Sequence, residues 1–253
     1  MTNTVIKIND LKKHFGKVKA VDGISLDIAE GEIFGMLGPN GAGKTTTISM
    51  LATLLKPDAG SASVAGYDVV KRAHEVRKSI GIVFQEPSSD DILTGWENLY
   101  LHCLMFGVPL PQINSRIKEV LELIDLYDRR NDIIKKYSGG MRRRLELGRG
   151  LLHRPKVLFL DEPTLGLDPQ TRVKIWEYIN GLAKKEKVTV ILTTHYMDEA
   201  DSLCDRVAII DYGKVTVIGT PDELKARAKV TNLNDVFMHY TGRDIRDETF
   251  TSE

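Results

Sequence analysis

An α/β fold is what this sequence predicts: a mainly parallel sheet covered by helices, a small antiparallel subdomain before it, and a helical subdomain inserted part-way along. Three observations carry the prediction. Short β-branched runs alternate with a helical run through "KVLFLDEP", "DPQTRVKIWEYINGLAKK", "VTVILTTH" and "RVAIID", which implies parallel strands joined by crossovers and covered on both faces. A glycine-rich loop, "GPNGAGKTT", stands directly between a buried strand and a helix. From Trp96 to Tyr137 the pattern turns mostly helical before the strands resume. At 253 residues the chain can bury a full core as one domain with a subdomain.

Taken in order, "VIKINDLKKHFGKVKAVDGISLDIAEGEIFGML" gives alternating runs broken by glycine and charge, a small antiparallel sheet feeding a buried strand at Ile33–Leu37. A helix follows in "GKTTTISMLATLLKPDAG", where Ile48, Leu51, Leu54 and Leu55 fall at helical spacing and Pro57 and Gly60 stop the run. "SASVAGYDV" reads as a further strand of the small sheet and "IGIVFQ" as a buried strand of the main one. The inserted helices are "WENLYLHCLMFG", ended by Gly107, and "INSRIKEVLELIDL", with Ile117, Val120, Leu121 and Ile124 on its apolar face. After the main strands, a hairpin turns at Tyr212–Gly213, Thr220, Pro221 and Glu223 open a helix in capping-box order, and "LNDVFMHYTGR" is a helix ended at Gly242.

Lys+Arg and Asp+Glu are equal at 35 each, so no overall field draws the chain to nucleic acid or an anionic bilayer, and no nucleic-acid partner is expected. Cys103 and Cys204 show neither zinc nor disulfide spacing and read as small buried hydrophobes. No signal pattern opens the chain, and its longest apolar run, near "VTVILTT", is far too short to span a bilayer, so a soluble chain is expected.

"GPNGAGKTT" (Gly38, Pro39, Asn40, Gly41, Ala42, Gly43, Lys44, Thr45, Thr46) matches the phosphate-loop pattern in the strand-to-helix context that separates it from a chance match, and marks a P-loop NTPase core. Its backbone N–H groups converge on a β-phosphate, Lys44 reaches the β- and γ-phosphates, and the Thr45 hydroxyl can ligate Mg²⁺. "KVLFLDE" places Asp161 and Glu162 at the carboxyl end of a buried strand, where open α/β sheets bind ligands. Asp161 can hold Mg²⁺ through water, and Glu162 can orient or deprotonate the attacking water. In "YSGGM", Ser138 is a good N-cap and Gly139 and Gly140 leave bare N–H groups at the head of a helix carrying Met141, Leu145, Gly148 and Leu152 on one face. Arg142–Arg144 read as a solvated basic face of that helix.

The order "GPNGAGKTT", "FQEP", "YSGGM", "VLFLDEP", "LGLD", "TTH" resembles the ATP-binding cassette (ABC) ATPases over nearly the whole chain. The resemblance implies an ABC ATPase fold over residues 1–229, with the helical subdomain at about 88–140 and a short tail at 230–253. It implies ATP and Mg²⁺ as ligands. It makes Ser138, Gly139 and Gly140 a second phosphate cradle facing the ATP of another subunit, and Gln85 the Q-loop glutamine that contacts Mg²⁺ or the reactive water. It also makes His195 the switch histidine at the γ-phosphate, Asp168 the D-loop aspartate at the dimer interface, and Phe15 the aromatic stacked on adenine. Two features depart from the commonest pattern: Tyr137 and Met141 stand in a signature usually written LSGGQ, and Phe15 replaces a frequent tyrosine.

Within the family, "FQEPSSDDILTGWENL", "THYMDEADSLCDRVAIID" and "LNDVFMHYTGR" look most like the daunorubicin-resistance type of drug-efflux ATPase. That implies a head-to-tail homodimer around two ATP–Mg²⁺, a separate ABC-2 type transmembrane permease, and a place on the cytoplasmic face of the cell membrane. Asp90 to Leu104 is the expected surface for the permease. The rival reading is a soluble ABC-type ATP switch acting on nucleic acid or ribosome; its usual marks are paired cassettes, a coiled-coil insertion, a zinc module or a basic grip, and none is visible in the sequence.

Overall fold

The computed structural model describes residues 3–85 and 88–242. Strands β1 (Thr4–Phe15) and β2 (Val18–Ala29) pair antiparallel. Their alternation sends Ile6, Ile8 and Leu11 inward with Val21, Ile24 and Ile28, as a sheet with one wet face requires. β3 (Ile33–Leu37) is buried at every position and leads into α1 (Lys44–Leu51). This helix is shorter than its apolar spacing suggested. Thr53 adopts a left-handed φ of 63°, and the Leu54 and Leu55 amides both turn back to the Ser49 carbonyl, so the chain closes the helix before Pro57 is reached.

The stretch read as one strand is two. Ala65 and Gly66, with φ of 51° and 82°, make a tight reversal between β4 (Ala59–Val64) and β5 (Tyr67–Asp68), the geometry two-residue hairpins favour. Helix α2 (Ala73–Ser79) then leads to β6 (Ile80–Val83). The inserted helices are α3 (Gly95–Met105), opened by a Thr94/Glu97 capping box, α4 (Leu110–Leu123) and α5 (Gly139–Leu151). They enclose their own core of Leu99, Cys103, Ile117, Val120, Leu121 and Leu145 among others.

Next come β7 (Val157–Asp161), α6 (Pro169–Glu186), β8 (Thr189–Thr194), α7 (Met197–Leu203), β9 (Arg206–Asp211), β10 (Lys214–Gly219), α8 (Pro221–Ala228) and α9 (Leu233–Thr241). The main sheet runs β10-β9-β3-β8-β7-β6. All its pairings are parallel except the β9–β10 hairpin, which turns at Tyr212–Gly213 as expected. The second sheet, β2-β1-β4-β5, packs with α1 on one face, where Phe34, Met36, Phe159 and Ile191 meet Ile8, Leu11 and Ile24. The opposite face carries α6 to α9, with Leu158, Leu160 and Leu192 against Ile175, Ile179 and Phe237. Leu233, Val236 and Phe237 bury α9 in this layer, and Gly242 ends it with a left-handed φ of 72°. Cys103 and Cys204 are both buried, and burial raises both thiols above their ordinary pKa. Among the described residues no helix is long and apolar enough to cross a membrane.

Candidate functional site

Parallel strands end together, so β3, β7 and β8 bring their carboxyl-terminal loops to one edge of the sheet. The phosphate loop leaves β3 there. Asn40 and Gly41 are exposed at its tip, while Pro39 and Ala42 are buried. Gly43 sits at the N-cap of α1 with φ 104°, and a Cβ on it would lie 2.3 Å from the Ala20 carbonyl oxygen, so no other residue fits. The Tyr212–Gly213 turn braces the loop from behind, the Gly213 amide donating to the Ala42 carbonyl at 3.0 Å. No acidic residue occupies the first turn of α1, which leaves the helix terminus positive toward an anion. Lys44 is buried; its ammonium donates to the Gly38 and Pro39 carbonyls at 2.6 and 2.8 Å.

Thr45, the next residue, is exposed and faces the end of β7, its Oγ1 lying 3.2 and 3.1 Å from the two Asp161 carboxylate oxygens. Thr193 on β8 also donates to Asp161 Oδ1, fixing the carboxylate from its other side. A hydroxyl and a carboxylate side by side are hard oxygen donors of the kind Mg²⁺ takes alongside phosphate and water, so these residues fit that ion. Glu162 follows with a left-handed φ of 48°, uncommon for any residue with a side chain. Its amide donates to the Thr193 carbonyl and hydroxyl at 3.2 and 3.1 Å. Its Oε1 lies 3.1 Å from His195 Nδ1, and that hydrogen bond holds the Glu162 carboxyl below the usual carboxylate range against the upward pull of burial. The His195 ring packs on Tyr196, centroids 4.2 Å apart.

Ser138 caps α5, accepting from the Met141 amide at 3.2 Å. Ser138 and Gly139 are exposed, and no hydrogen bond among the described residues joins Ser138 to Lys44, Glu162 or His195. At Gly140 a Cβ would lie 2.5 Å from Thr171 Cγ2, so glycine is needed for α5 to approach the start of α6. Asp168 caps α6, accepting from the Thr171 amide at 3.0 Å and from its hydroxyl at 2.6 Å. Gln85 is exposed beyond the end of β6, and no hydrogen bond among the described residues joins it to Thr45 or Asp161. Phe15 ends β1 half exposed at 51%, with Lys13 Nζ 5.7 Å from its ring centre.

One expectation is overturned here. Arg142–Arg144 are not a solvated face. Arg143 is buried and, among the described residues, donates only to main-chain carbonyls: Nε to Pro163 at 2.6 Å, Nη1 to Phe84 at 2.6 Å, and Nη2 to Asp161 and Glu162 at 3.1 Å each. Arg142 pairs with Asp91, and Arg144 binds Asp125 and the Ile124 carbonyl. Glu146, also buried, accepts from the Ser88 and Ser89 amides and the Ser88 hydroxyl, and pairs with Arg149. Charge count alone misses this. Helical spacing offers the signal, because Arg143 shares a face with Leu147 and Gly150, both buried. Thr193, a further residue the motifs did not single out, is read only from its contacts.

A sequence model of the ABC transporter family matches residues 21–165. The chain belongs to that family. It is an ATP-hydrolysing cassette, and the expected α/β fold is the one its solved relatives share. The chain is 46% identical to the daunorubicin resistance ATP-binding protein DrrA3 of Streptomyces coeruleorubidus, over 89% of its own length and 71% of that protein's. It superposes on a structure described as the ATP-binding subunit of an ABC transporter with a TM-score of 0.83 and 26% identity, covering 94% of this chain and 100% of the other. A cassette solved as a dimer in a post-hydrolysis state with ADP and phosphate matches with a TM-score of 0.76 and 26% identity, over 85% and 98% of the two chains.

Proposed function

We propose that this ABC ATPase is the motor subunit of an exporter, closing head to tail with a second copy around two ATP–Mg²⁺ and driving a separate ABC-2 type transmembrane permease from the cytoplasmic face of the membrane. The carrying observation is the Ser138–Gly139–Gly140 turn. It presents bare amides at the head of a thirteen-residue helix, exposed and without a described hydrogen bond to the chain's own phosphate loop, so a second copy is the natural source of the phosphate it would bind.

In each pocket backbone amides of the phosphate loop, to which Pro39 contributes none, and Lys44 bind the triphosphate, and Phe15 offers an exposed ring face to the adenine. Thr45 and Asp161 would hold Mg²⁺, which when bound neutralises charge on the β- and γ-phosphates. Glu162 orients the attacking water and accepts its hydrogen bond. The carboxylate form that the His195 hydrogen bond favours can align the water and take up its proton as the new P–O bond forms. His195 keeps the Glu162 carboxylate turned toward the γ-phosphate side. Gln85 reports the phosphate to the helical subdomain, and Asp168 lies at the dimer interface. Hydrolysis yields ADP and phosphate, and the pair reopens.

The permease docks on the surface from Asp90 to Leu104, where Ile92, Leu101 and Leu104 are 78%, 49% and 45% exposed; apolar surface of this kind, rimmed by charge, marks interaction sites. Likeness to a protein named for daunorubicin resistance supports drug efflux as the task. The test is the dimer itself. In a Glu162→Gln background, ATP should shift the chain to a dimer on size exclusion with light scattering, and adding Ser138→Arg should abolish the shift while ATP affinity stays within about threefold. A parallel loss of affinity would place the turn at its own chain's nucleotide and sink the head-to-tail reading.

A further inference from the structure

A guanidinium is rarely buried without a carboxylate on its nitrogens, yet Arg143 is 7% exposed and every hydrogen bond described for it goes to main-chain carbonyls. Those carbonyls belong to Phe84, just before Gln85, and to Asp161, Glu162 and Pro163 at the end of β7. The carboxylates of Glu146, Asp161, Glu199 and Glu162 interact with its charge at longer range. Its planar fork therefore joins α5, the loop after β6 and the backbone of the water-orienting residue.

The Glu162 backbone is the strained point of this assembly. At φ 48° a non-glycine residue persists only where its surroundings over-determine it. Thr193 takes its amide, and Arg143 takes its carbonyl at 3.1 Å. One turn further along α5, Glu146 accepts the amides of Ser88 and Ser89 at 3.2 and 2.8 Å. Helix α5 thus grips the chain on both sides of Gln85 and, through Arg143, the peptide that aims the Glu162 carboxylate.

We propose that Arg143 is a positioning residue for hydrolysis, locking the left-handed Glu162 backbone to α5 and to the peptide preceding Gln85, so that any displacement of α5 re-aims the carboxylate. It rests on the reading of Glu162 as the residue that orients water. Lysine cannot substitute, since one ammonium on a flexible stem does not reproduce the fixed fork that reaches these carbonyls.

The test uses the purified full chain with Arg143→Lys and Arg143→Gln, each alone and with Glu162→Gln, and reads kcat and KM for ATP by phosphate release and slow rates by single turnover of radiolabelled ATP. Arg143→Lys should lower kcat about 10- to 100-fold with KM within about threefold. In the Glu162→Gln background the same change should alter the residual rate less than about twofold, because both residues act through one carboxylate. An equal loss in both backgrounds, an unchanged kcat, or a rise in KM alone overturns the assignment. So does failure of both variants to give a cooperative melt, which would make Arg143 a scaffold residue. Glu162→Gln turning over at the parent rate removes the Glu162 reading itself; a slow Glu162→Gln with an additive Arg143→Lys loss removes only the role of Arg143.

Discussion

Lys44 is held by two carbonyls of its own loop, Gly38 and Pro39, so its charge is organised before any phosphate arrives. Lys44→Ala removes that charge and leaves two buried acceptors without a donor. Hydrogen bonds to charged groups contribute about 1.5–3 kcal/mol, so ATP affinity measured by calorimetry should fall at least about tenfold. Glu162→Gln keeps shape and removes charge. Turnover should drop at least about 100-fold with ATP affinity retained, and equal rates would exclude Glu162 as the residue acting on water. Both positions were legible from motif and strand end. The left-handed φ of Glu162 was not, because nothing in "FLDEP" announces a conformation imposed by Thr193 and Arg143 from elsewhere in the chain.

At the junction of α3, α5 and β6, three rings stack: His102 on Phe106 with centroids 4.5 Å apart, and Phe106 on His153 at 4.2 Å. Burial pulls His102 down to about 3, with Arg149 and His153 repelling its proton further, and burial lowers His153 too. An unfolded histidine titrates near 6.5, so between about 6.5 and 3 the unfolded chain binds the extra proton. Stability from neutral His102 is therefore full above about pH 6.5 and is lost as pH falls toward the folded value. His102→Phe, which keeps the stack, should lose less stability than the parent between pH 7 and 4.5, by on the order of 1–2 kcal/mol. Urea melts at the two pH values measure it, and equal losses would show that His102 does not titrate on unfolding. The sequence placed a helix in "WENLYLHCLMFG" and read Cys103 as a buried hydrophobe. The histidine stack depends on where β6 and the end of α5 arrive, which no local pattern contains.

Over the whole molecule, the parallel sheet places the phosphate loop, Asp161–Glu162 and His195 along one edge, while the inserted helices hold the Ser138 turn and the exposed apolar positions of α3. The exporter reading makes that outer face of α3 the permease contact. Leu101→Glu with Leu104→Glu should leave ATP affinity unchanged and reduce recovery of the chain with membranes carrying its permease at least about tenfold, read by flotation on a density gradient. Unaltered flotation would move the docking surface elsewhere.

Strand and helix periods, the phosphate loop, the capping box at Thr220 and the signature turn are short-range patterns, and the sequence alone determined them together with the α/β architecture and the family. Tertiary structure alone decided that α1 stops at Leu51 and that the buried Arg143 meets four main-chain carbonyls beside Glu162. The reason is physical. Periodicity reports which face of an element turns inward, but not what that face meets, and here it meets the polar main chain of loops distant in sequence.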